Sequence, residues 1–286
     1  MKRTRSFEII AAVYVLAAAA GVALYKLLPY AYWMNLLLAD MGATAVVFLF
    51  SAVFRNASVY DPYWSVLPPV ALTFLAMGHS LTLLNLLHLA AVWIWGVRLT
   101  ANWAIGFQGM DAQDWRYTMY QRKTGAWYPA VNFFGIHLMP TLIVYLCILP
   151  AVYAMEHGLD AGFLSALCVG ISLAAAALQA VADRQMRAFR REHRGQLIRS
   201  GLWSHSRHPN YLGEILMWWG IGLSVYCAIP SQPWMLTGAL VNTLLFLFIS
   251  IPMADEHQSG KPGFDDYKAE TRMLLPLPLF GRKAGD

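Results

Sequence analysis

A dense run of polar side chains at residues 206–214, Ser-Arg-His-Pro-Asn-Tyr-Leu-Gly-Glu, leads without a break into the apolar stretch 215–223. Seven arginines crowd residues 184–207: Arg184, Arg187, Arg190, Arg191, Arg194, Arg199 and Arg207. Only two acidic residues, Asp183 and Glu192, lie in or next to this segment to offset their positive charge. Guanidinium groups bind phosphate oxygens through paired, charge-assisted hydrogen bonds. The two features together predict a phosphate-binding site at the mouth of a membrane helix.

A second polar group, Tyr60-Asp61-Pro62-Tyr63, precedes a short apolar segment that contains the adjacent prolines Pro68 and Pro69. Ionisable residues near membrane depth are costly and usually face a cavity or a partner. We therefore take Asp61, with Tyr60 and Tyr63 beside it, as the candidate group for proton transfer. The alternative is that the tyrosines belong to an interfacial aromatic belt and Asp61 caps a helix.

The elements that position these groups are predicted to be membrane helices. Apolar residues make up 58% of the chain and charged residues 13%, and apolar runs recur at the length of about 20 residues that crosses a bilayer. The fold class is therefore all-α, a polytopic integral membrane protein with seven or eight transmembrane helices. The predicted spans are 7–28, 34–54, 63–77, 79–103, 131–153, 161–182, 209–229 and 234–252.

The positive charges give the orientation. With eight spans and a cytoplasmic N-terminus, the inner segments contain nearly all of the 21 Lys and Arg residues, including Arg282 and Lys283 near the end, while Lys26 falls outside. This distribution predicts that both termini are cytoplasmic. The net charge of +5 then reflects topology and anionic lipid, and indicates no nucleic acid. A cleaved secretory signal is the alternative for the first span.

Cysteine and histidine usage excludes several chemistries. Cys147, Cys168 and Cys227 lie in predicted spans without a C-x-x-C pair, so we expect small buried apolar residues rather than disulfides or thiol catalysis. The eight histidines form only one close pair, His205 and His208, and a membrane iron enzyme would need several histidine boxes. We assign no metal. No glycine-rich nucleotide motif is present, so a nucleotide would bind between helix ends and inner loops.

A family resemblance rests on three motifs. Residues 207–214 precede a Trp-Trp-Gly at 218–220, Gly201-Leu202-Trp203 comes before them, and the tail has residues 264–272 followed by Leu-Leu-Pro-Leu-Pro at 274–278. Together they resemble the C-terminal half of the steroid 5-alpha-reductase-like family, particularly its bacterial members of the DUF1295 type, which implies a bacterial inner membrane. Asp61-Pro-Tyr-Trp and residues 95–100 add a weaker likeness. The resemblance implies an integral membrane reductase that uses NADPH to reduce a carbon–carbon double bond in a sterol or other enone-like lipid.

The resemblance also implies roles for individual residues. Asp183, Arg187 and Arg190 would lie near the adenosine and phosphate part of NADPH, and Glu214 would orient neighbours or the carboxamide. The residues implied for the pyrophosphate and nicotinamide region are Arg207, His208, Asn210 and Tyr211; those of the surrounding motifs and tail are Trp203, Asp255, Glu256 and Tyr267. Residues 1–286 would form a single membrane domain, with substrate-side helices in 1–155 and the cytoplasm-facing cofactor half in 156–286.

The N-terminal half departs from the animal steroid reductases. It has no Glu near residues 57–69, and Trp95 stands at the tyrosine-like position, so we expect a lipid or steroid-like substrate rather than a specific steroid. A second reading is an S-adenosylmethionine-dependent methyltransferase of the isoprenylcysteine carboxyl type, which shares an Arg-His-Pro-x-Tyr-x-Gly segment; Asn210, Glu214 and the arginines favour the reductase. A lipid-binding scaffold without activity stays open, as does the oligomeric state.

Overall fold

Helices form the regular structure of residues 2–276, which is the part of the chain that the computed structural model describes. No β-strand occurs within these residues, so the prediction of an all-α fold is confirmed. Four residues used above lie outside the described part: Leu277, Pro278, Arg282 and Lys283. The α-helices are α1 (Arg3–Leu27), α2 (Tyr32–Phe54), α3 (Tyr63–Ala76), α4 (Leu83–Gly106), α5 (Trp115–Thr124), α6 (Tyr128–Ala130), α7 (Met139–Glu156), α8 (Phe163–Glu192), α9 (Pro209–Ala228), α10 (Thr237–Leu245), α11 (Ile251–Ser259) and α12 (Phe264–Glu270).

Shorter elements join some of these helices into longer rods. Val131–Leu138 and Phe246–Ser250 are π-helical and run directly into α7 and α11. Single 3-10 turns lie at Ala57–Val59, Gly125–Trp127, Gly201–Ser204 and Pro233–Leu236. A wider π turn leaves one extra residue per turn, and such turns occur frequently at functional sites.

Six helical stretches in the described residues are long and apolar enough to cross a membrane: Arg3–Leu27, Tyr32–Phe54, Leu83–Gly106, Trp115–Glu156, Phe163–Glu192 and Pro233–Ser259. Large apolar side chains such as Leu16, Val53, Phe163 and Phe248 are exposed on them, as lipid-facing side chains are. The membrane environment is thus supported. The predicted spans at 63–77 and 209–229 correspond to α3 and α9, which are not among the six, so eight crossings and the side of both termini stay predictions.

The segment 183–208, expected to be a polar connection, is helical up to Glu192 because α8 continues past its predicted end at residue 182. Arg, Gln, Ala and Met are good helix formers, and no glycine interrupts them before Gly195. Four of the seven arginines, Arg184, Arg187, Arg190 and Arg191, therefore stand on a helix rather than in a flexible loop.

The chain divides into two compact units, one ending at Asp160 and the other beginning at Ala161. In the first unit, Ile10 and Val13 of α1 pack with Ala43 and Val47 of α2 in a common core. Helices α3 and α4 approach closely at Gly96, where a Cβ atom would lie 2.6 Å from the Ser65 carbonyl oxygen. Close approach of this kind is how helices pack in a bilayer.

The second unit is organised around α8 and α9, which run in opposite directions. Ser172 Oγ of α8 donates to the Met217 carbonyl at 2.8 Å, and Gly220 of α9 lies so close that a Cβ there would stand 2.1 Å from Ser172 Oγ. Small residues at this interface let the two backbones touch. The hairpin holds the polar mouth of α9 beside the polar end of α8.

Candidate functional site

The mouth of α9 is built around three residues that we call the Arg207 cluster: Arg207, His208 and Asp255. Nη2 of Arg207 donates to Oδ2 of Asp255 at 3.0 Å, and Nε2 of His208 lies 2.9 Å from Oδ1 of the same carboxylate. The three side chains are 8%, 7% and 13% exposed. One nearly buried carboxylate of α11 therefore fixes both side chains at the start of α9.

Arg207 also donates hydrogen bonds to the end of α12 and to the residues that follow it. Its Nη1 donates to the Thr271 carbonyl at 2.6 Å and to the Lys268 carbonyl at 3.3 Å, and its backbone N–H donates to the Arg272 carbonyl at 2.8 Å. These contacts hold the tail against the mouth of α9. Two of the three guanidinium nitrogens are thus engaged within the protein, and the predicted phosphate contact of Arg207 would have to compete with them.

An aromatic surface adjoins the Arg207 cluster. The rings of His208 and Tyr211 stack with an interplanar angle of 4° and centroids 5.2 Å apart, and Tyr211 lies 4.9 Å from Phe246. Pro209 opens α9, where its fixed φ suits the first turn. Asn210 is half-buried beside this stack. The arrangement offers a flat face of the kind on which a planar ring could stack.

Glu214, one turn further along α9, is buried and paired through both oxygens. Gln179 Nε2 donates to Oε2 at 2.7 Å, and Trp218 Nε1 donates to Oε1 at 2.9 Å. Gln179 Nε2 also lies 3.4 Å from the Asn210 carbonyl, while its Oε1 is buried without a hydrogen-bond partner in the described part of the chain. A buried acceptor left unpaired is costly, so Gln179 is set to receive an N–H from a ligand or water.

The polar end of α8 brings two positive charges together. Arg190 is exposed, and the pKa of Lys261 is lowered, first by burial and then by repulsion from Arg190. Lys261 Nζ donates to the Gln196 carbonyl at 3.2 Å. Like charges held near each other create a place where an anion is favoured. Sequence reasoning treated Lys261 only as part of the charge bias, although its position before Pro262-Gly263 marks a fixed turn.

The remaining predicted residues of this half mostly support the fold. Trp203 is buried, and its indole N–H donates to the Ala182 carbonyl at 3.1 Å. The Tyr267 hydroxyl donates to the Trp203 carbonyl at 2.6 Å, and burial raises the pKa of Tyr267 to about 12. Asp183 is buried and Arg187 half-buried on α8, whereas Glu256 is exposed on α11 and lies outside the Arg207 cluster.

In the first unit, the predicted proton-transfer trio divides into two groups. Tyr117 of α5 donates to Oδ1 of Asp61 at 2.5 Å. Burial raises the pKa of Asp61 from 3.8 to about 6, and the Tyr117 hydrogen bond partly offsets this rise. Asp61 thus ties α5 to the turn before α3. Sequence reasoning missed Tyr117, because 56 residues separate it from Asp61.

Tyr60 and Tyr63 belong instead to a buried hydroxyl chain that we call the Asp40 network: Asp40, Tyr63, Tyr60, Thr44 and Thr141. Tyr63 donates to Oδ1 of Asp40 at 3.1 Å, Tyr60 lies 2.7 Å from Thr141 Oγ1, and Thr141 lies 2.9 Å from Thr44 Oγ1. The second oxygen of Asp40 is buried without a partner among residues 2–276. Asp40 was missed, although an acid inside an apolar span is a recognisable signal.

Comparison with known proteins finds a family and a curated relative whose descriptions name no activity. The family described as "Protein of unknown function (DUF1295)" matches residues 47–271. A curated relative, "Uncharacterized protein C594.04c" of Schizosaccharomyces pombe, is 26% identical over 226 residues, which cover 69% of this chain and 63% of the relative. The chain therefore spans less than two thirds of that relative's length. No solved structure matches the chain.

Proposed function

Because the chain belongs to the DUF1295 family, whose description names no activity, we propose its function from the sites: a membrane reductase that uses NADPH to reduce a carbon–carbon double bond of an enone-like lipid. One observation carries the proposal. The side-chain amide of Gln179 donates through Nε2 to the carbonyl of Asn210, which follows His208 and precedes Tyr211 in the stacked pair, and the Oε1 acceptor of the same amide is buried and unpaired in the described part of the chain. A planar ring bearing a primary amide matches an aromatic face beside a free acceptor.

Basic residues of the second unit match the phosphate groups of NADPH as well. Arg190 and Lys261 bring positive charge to the same end of the unit, and guanidinium and ammonium groups bind phosphates. Glu214 fixes the orientation of Gln179 through a 2.7 Å hydrogen bond, so Gln179 would meet the carboxamide in one rotamer. When bound, NADPH would supply the hydride of the reaction.

Reduction of an enone also needs a hydrogen-bond donor for the carbonyl oxygen and a proton for the second carbon. The Asp40 network has these groups on its own residues, since Tyr63 is hydrogen-bonded to Asp40 and Tyr60 to Thr141. Its burial excludes bulk water, which strengthens such interactions. We assign Tyr63 and Asp40 to proton exchange, and Asp61 to holding α5.

A methyltransferase is the second candidate. Arg207 already donates to Asp255 and to the Thr271 carbonyl, so it offers less to a phosphate than the sequence suggested. S-adenosylmethionine has no phosphate and would not need Arg190 or Lys261. The two cofactors therefore differ in which charges they depend on.

Calorimetric titration of the purified full chain with NADPH, NADH and S-adenosylmethionine tests the proposal. We expect NADPH to bind, and Arg190→Gln/Lys261→Gln to weaken its binding by at least about 100-fold, since each of the two lost charge-assisted hydrogen bonds costs about 1.5–3 kcal/mol. Lys268→Gln is the matched control, because its side chain is exposed and Arg207 contacts only its carbonyl. Binding of S-adenosylmethionine alone would move the assignment to methyl transfer. If none of the three compounds bound, the lipid-binding scaffold without activity would be the remaining hypothesis.

A further inference from the structure

Helix α5 has two faces of different chemistry. Tyr117 and Tyr120 pack into a small core with Ala57 and Ile136. Trp115, Thr118, Met119 and Arg122 fall on another face, at the spacing i, i+3, i+4 and i+7. These four, with Gln113 and Lys123, line a shallow, open cavity of about 600 Å³. One face of α5 thus anchors the helix, and the other forms the wall of a cavity.

The cavity wall is held rigidly by contacts within the first unit. Asp114 accepts from the Arg116 backbone N–H at 2.9 Å, which caps the start of α5. The Asp114 backbone N–H donates to Ser58 Oγ at 3.1 Å, and the Ala57 N–H donates to Gln113 Oε1 at 3.0 Å. With the Tyr117 to Asp61 hydrogen bond, these contacts fix the helix from its first turn. The wall that α5 contributes to the cavity is therefore held in place by the protein itself.

The charge and the aromatic residues of this surface fit one environment. Arg122 and Lys123 are exposed at the end of α5, and α5 itself contains no acidic residue. Trp127, three residues after α5 ends, is 77% exposed just before the apolar helix that continues to Glu156. Exposed tryptophans beside basic residues are typical of the level of lipid headgroups. The cavity therefore opens where lipid phosphates are concentrated.

From this combination we propose that the α5 cavity is a binding site for the headgroup of an anionic phospholipid. Arg122 and Lys123 bind its phosphate, Gln113 and Thr118 offer hydrogen bonds to the remaining headgroup, and Met119 with Trp115 contacts the upper part of an acyl chain. This site is separate from the residues assigned to NADPH and to proton exchange.

Native mass spectrometry of the full chain tests this site, with dioleoyl phosphatidylglycerol and dioleoyl phosphatidylcholine as the probes. We expect wild type to retain phosphatidylglycerol preferentially. Arg122→Gln/Lys123→Gln should weaken its binding on the order of 30-fold, since each basic residue near an anionic surface contributes about fivefold. Lys2→Gln/Arg5→Gln removes the same charge from exposed positions of the same unit and should keep the preference.

Three outcomes would overturn the proposal. Equal loss in both double variants would mean that only net charge matters, and equal retention of both lipids by wild type would mean that the cavity does not select charge. Displacement of the lipid by glycerol 3-phosphate at comparable concentration would show that the cavity takes a soluble phosphate instead. Each variant is first checked for an unchanged elution profile in size-exclusion chromatography. Arg122→Lys, which keeps the positive charge, should retain part of the phosphatidylglycerol binding that Arg122→Gln/Lys123→Gln loses. A negative result here leaves the NADPH titration unaffected.

Discussion

Asp255 is predicted to be a main determinant of the stability of the second unit. It pairs with Arg207 and His208 at 3.0 and 2.9 Å, and Arg207 is only 8% exposed. Asp255→Asn would leave a nearly buried guanidinium without its counter-charge. Removal of one partner of a buried ion pair costs about 3–5 kcal/mol, whereas replacement of both partners by apolar residues is often neutral. We therefore expect a loss of about 3 kcal/mol for the single variant and recovery of most of it in Arg207→Met/Asp255→Leu.

The assay is thermal unfolding in detergent, followed with a dye that fluoresces on reaction with thiols. Cys147 is buried, and Cys168 and Cys227 are half-buried, so all three react faster as the helices separate. At about 2–4 °C per kcal/mol, Asp255→Asn should lower Tm by about 10 °C. Asp266→Asn is the matched control, since Asp266 is an exposed carboxylate on α12.

The reasoning would be refuted if Asp255→Asn unfolded at the temperature of Asp266→Asn. That result would mean that the Arg207 charge is solvated in solution. Its guanidinium would then be free for a phosphate, as the sequence had suggested.

Two further predictions concern packing and pH. Gly220→Ala should destabilise the folded protein by about 1–3 kcal/mol, since the added Cβ would lie 2.1 Å from Ser172 Oγ. Gly170→Ala is the control, because a Cβ there meets nothing within 4 Å, and it should be neutral or stabilising. Equal shifts in Tm for the two variants would contradict the close contact between α8 and α9. Because the pKa of Asp61 rises from 3.8 to about 6, the folded state holds this proton more tightly, so the contribution of Asp61 to stability is fully present below pH 4 and is lost, by about 3 kcal/mol, as pH rises through about 6. Asp61→Asn should remove this loss in chemical unfolding. Tyr117→Phe, which removes the offsetting hydrogen bond, should extend the loss to higher pH. An unchanged pH dependence in Asp61→Asn would refute the assignment.

The sequence was sufficient for the long apolar helices and for the start of α9. Apolar runs of membrane length predict helices wherever they occur, and Pro209 after a polar stretch marks a helix start. The family was also predicted correctly from the motif at 207–214 and the tail. Local patterns of this kind need no knowledge of which helices become neighbours.

The partners within the site could not be predicted in the same way. Arg207 and Asp255 were both assigned to the cofactor, but their mutual hydrogen bond joins residues 48 positions apart and depends on how α9 and α11 pack. Tyr60 and Tyr63 seemed to belong with Asp61 by adjacency, yet the helical turn directs them to Asp40 and Thr141. Neighbours in sequence point to different sides, so tertiary packing decided the grouping.

The length of α8 has a consequence for how fast a ligand arrives. Its 30 residues extend about 45 Å, whereas the hydrocarbon core is about 30 Å thick. If α8 crosses along the membrane normal, about ten residues with most of the arginines project into water. Charges there attract an anion over roughly one Debye length, about 8 Å at physiological salt, and so steer its diffusion. Added salt should therefore slow association with the protein much more than it speeds dissociation.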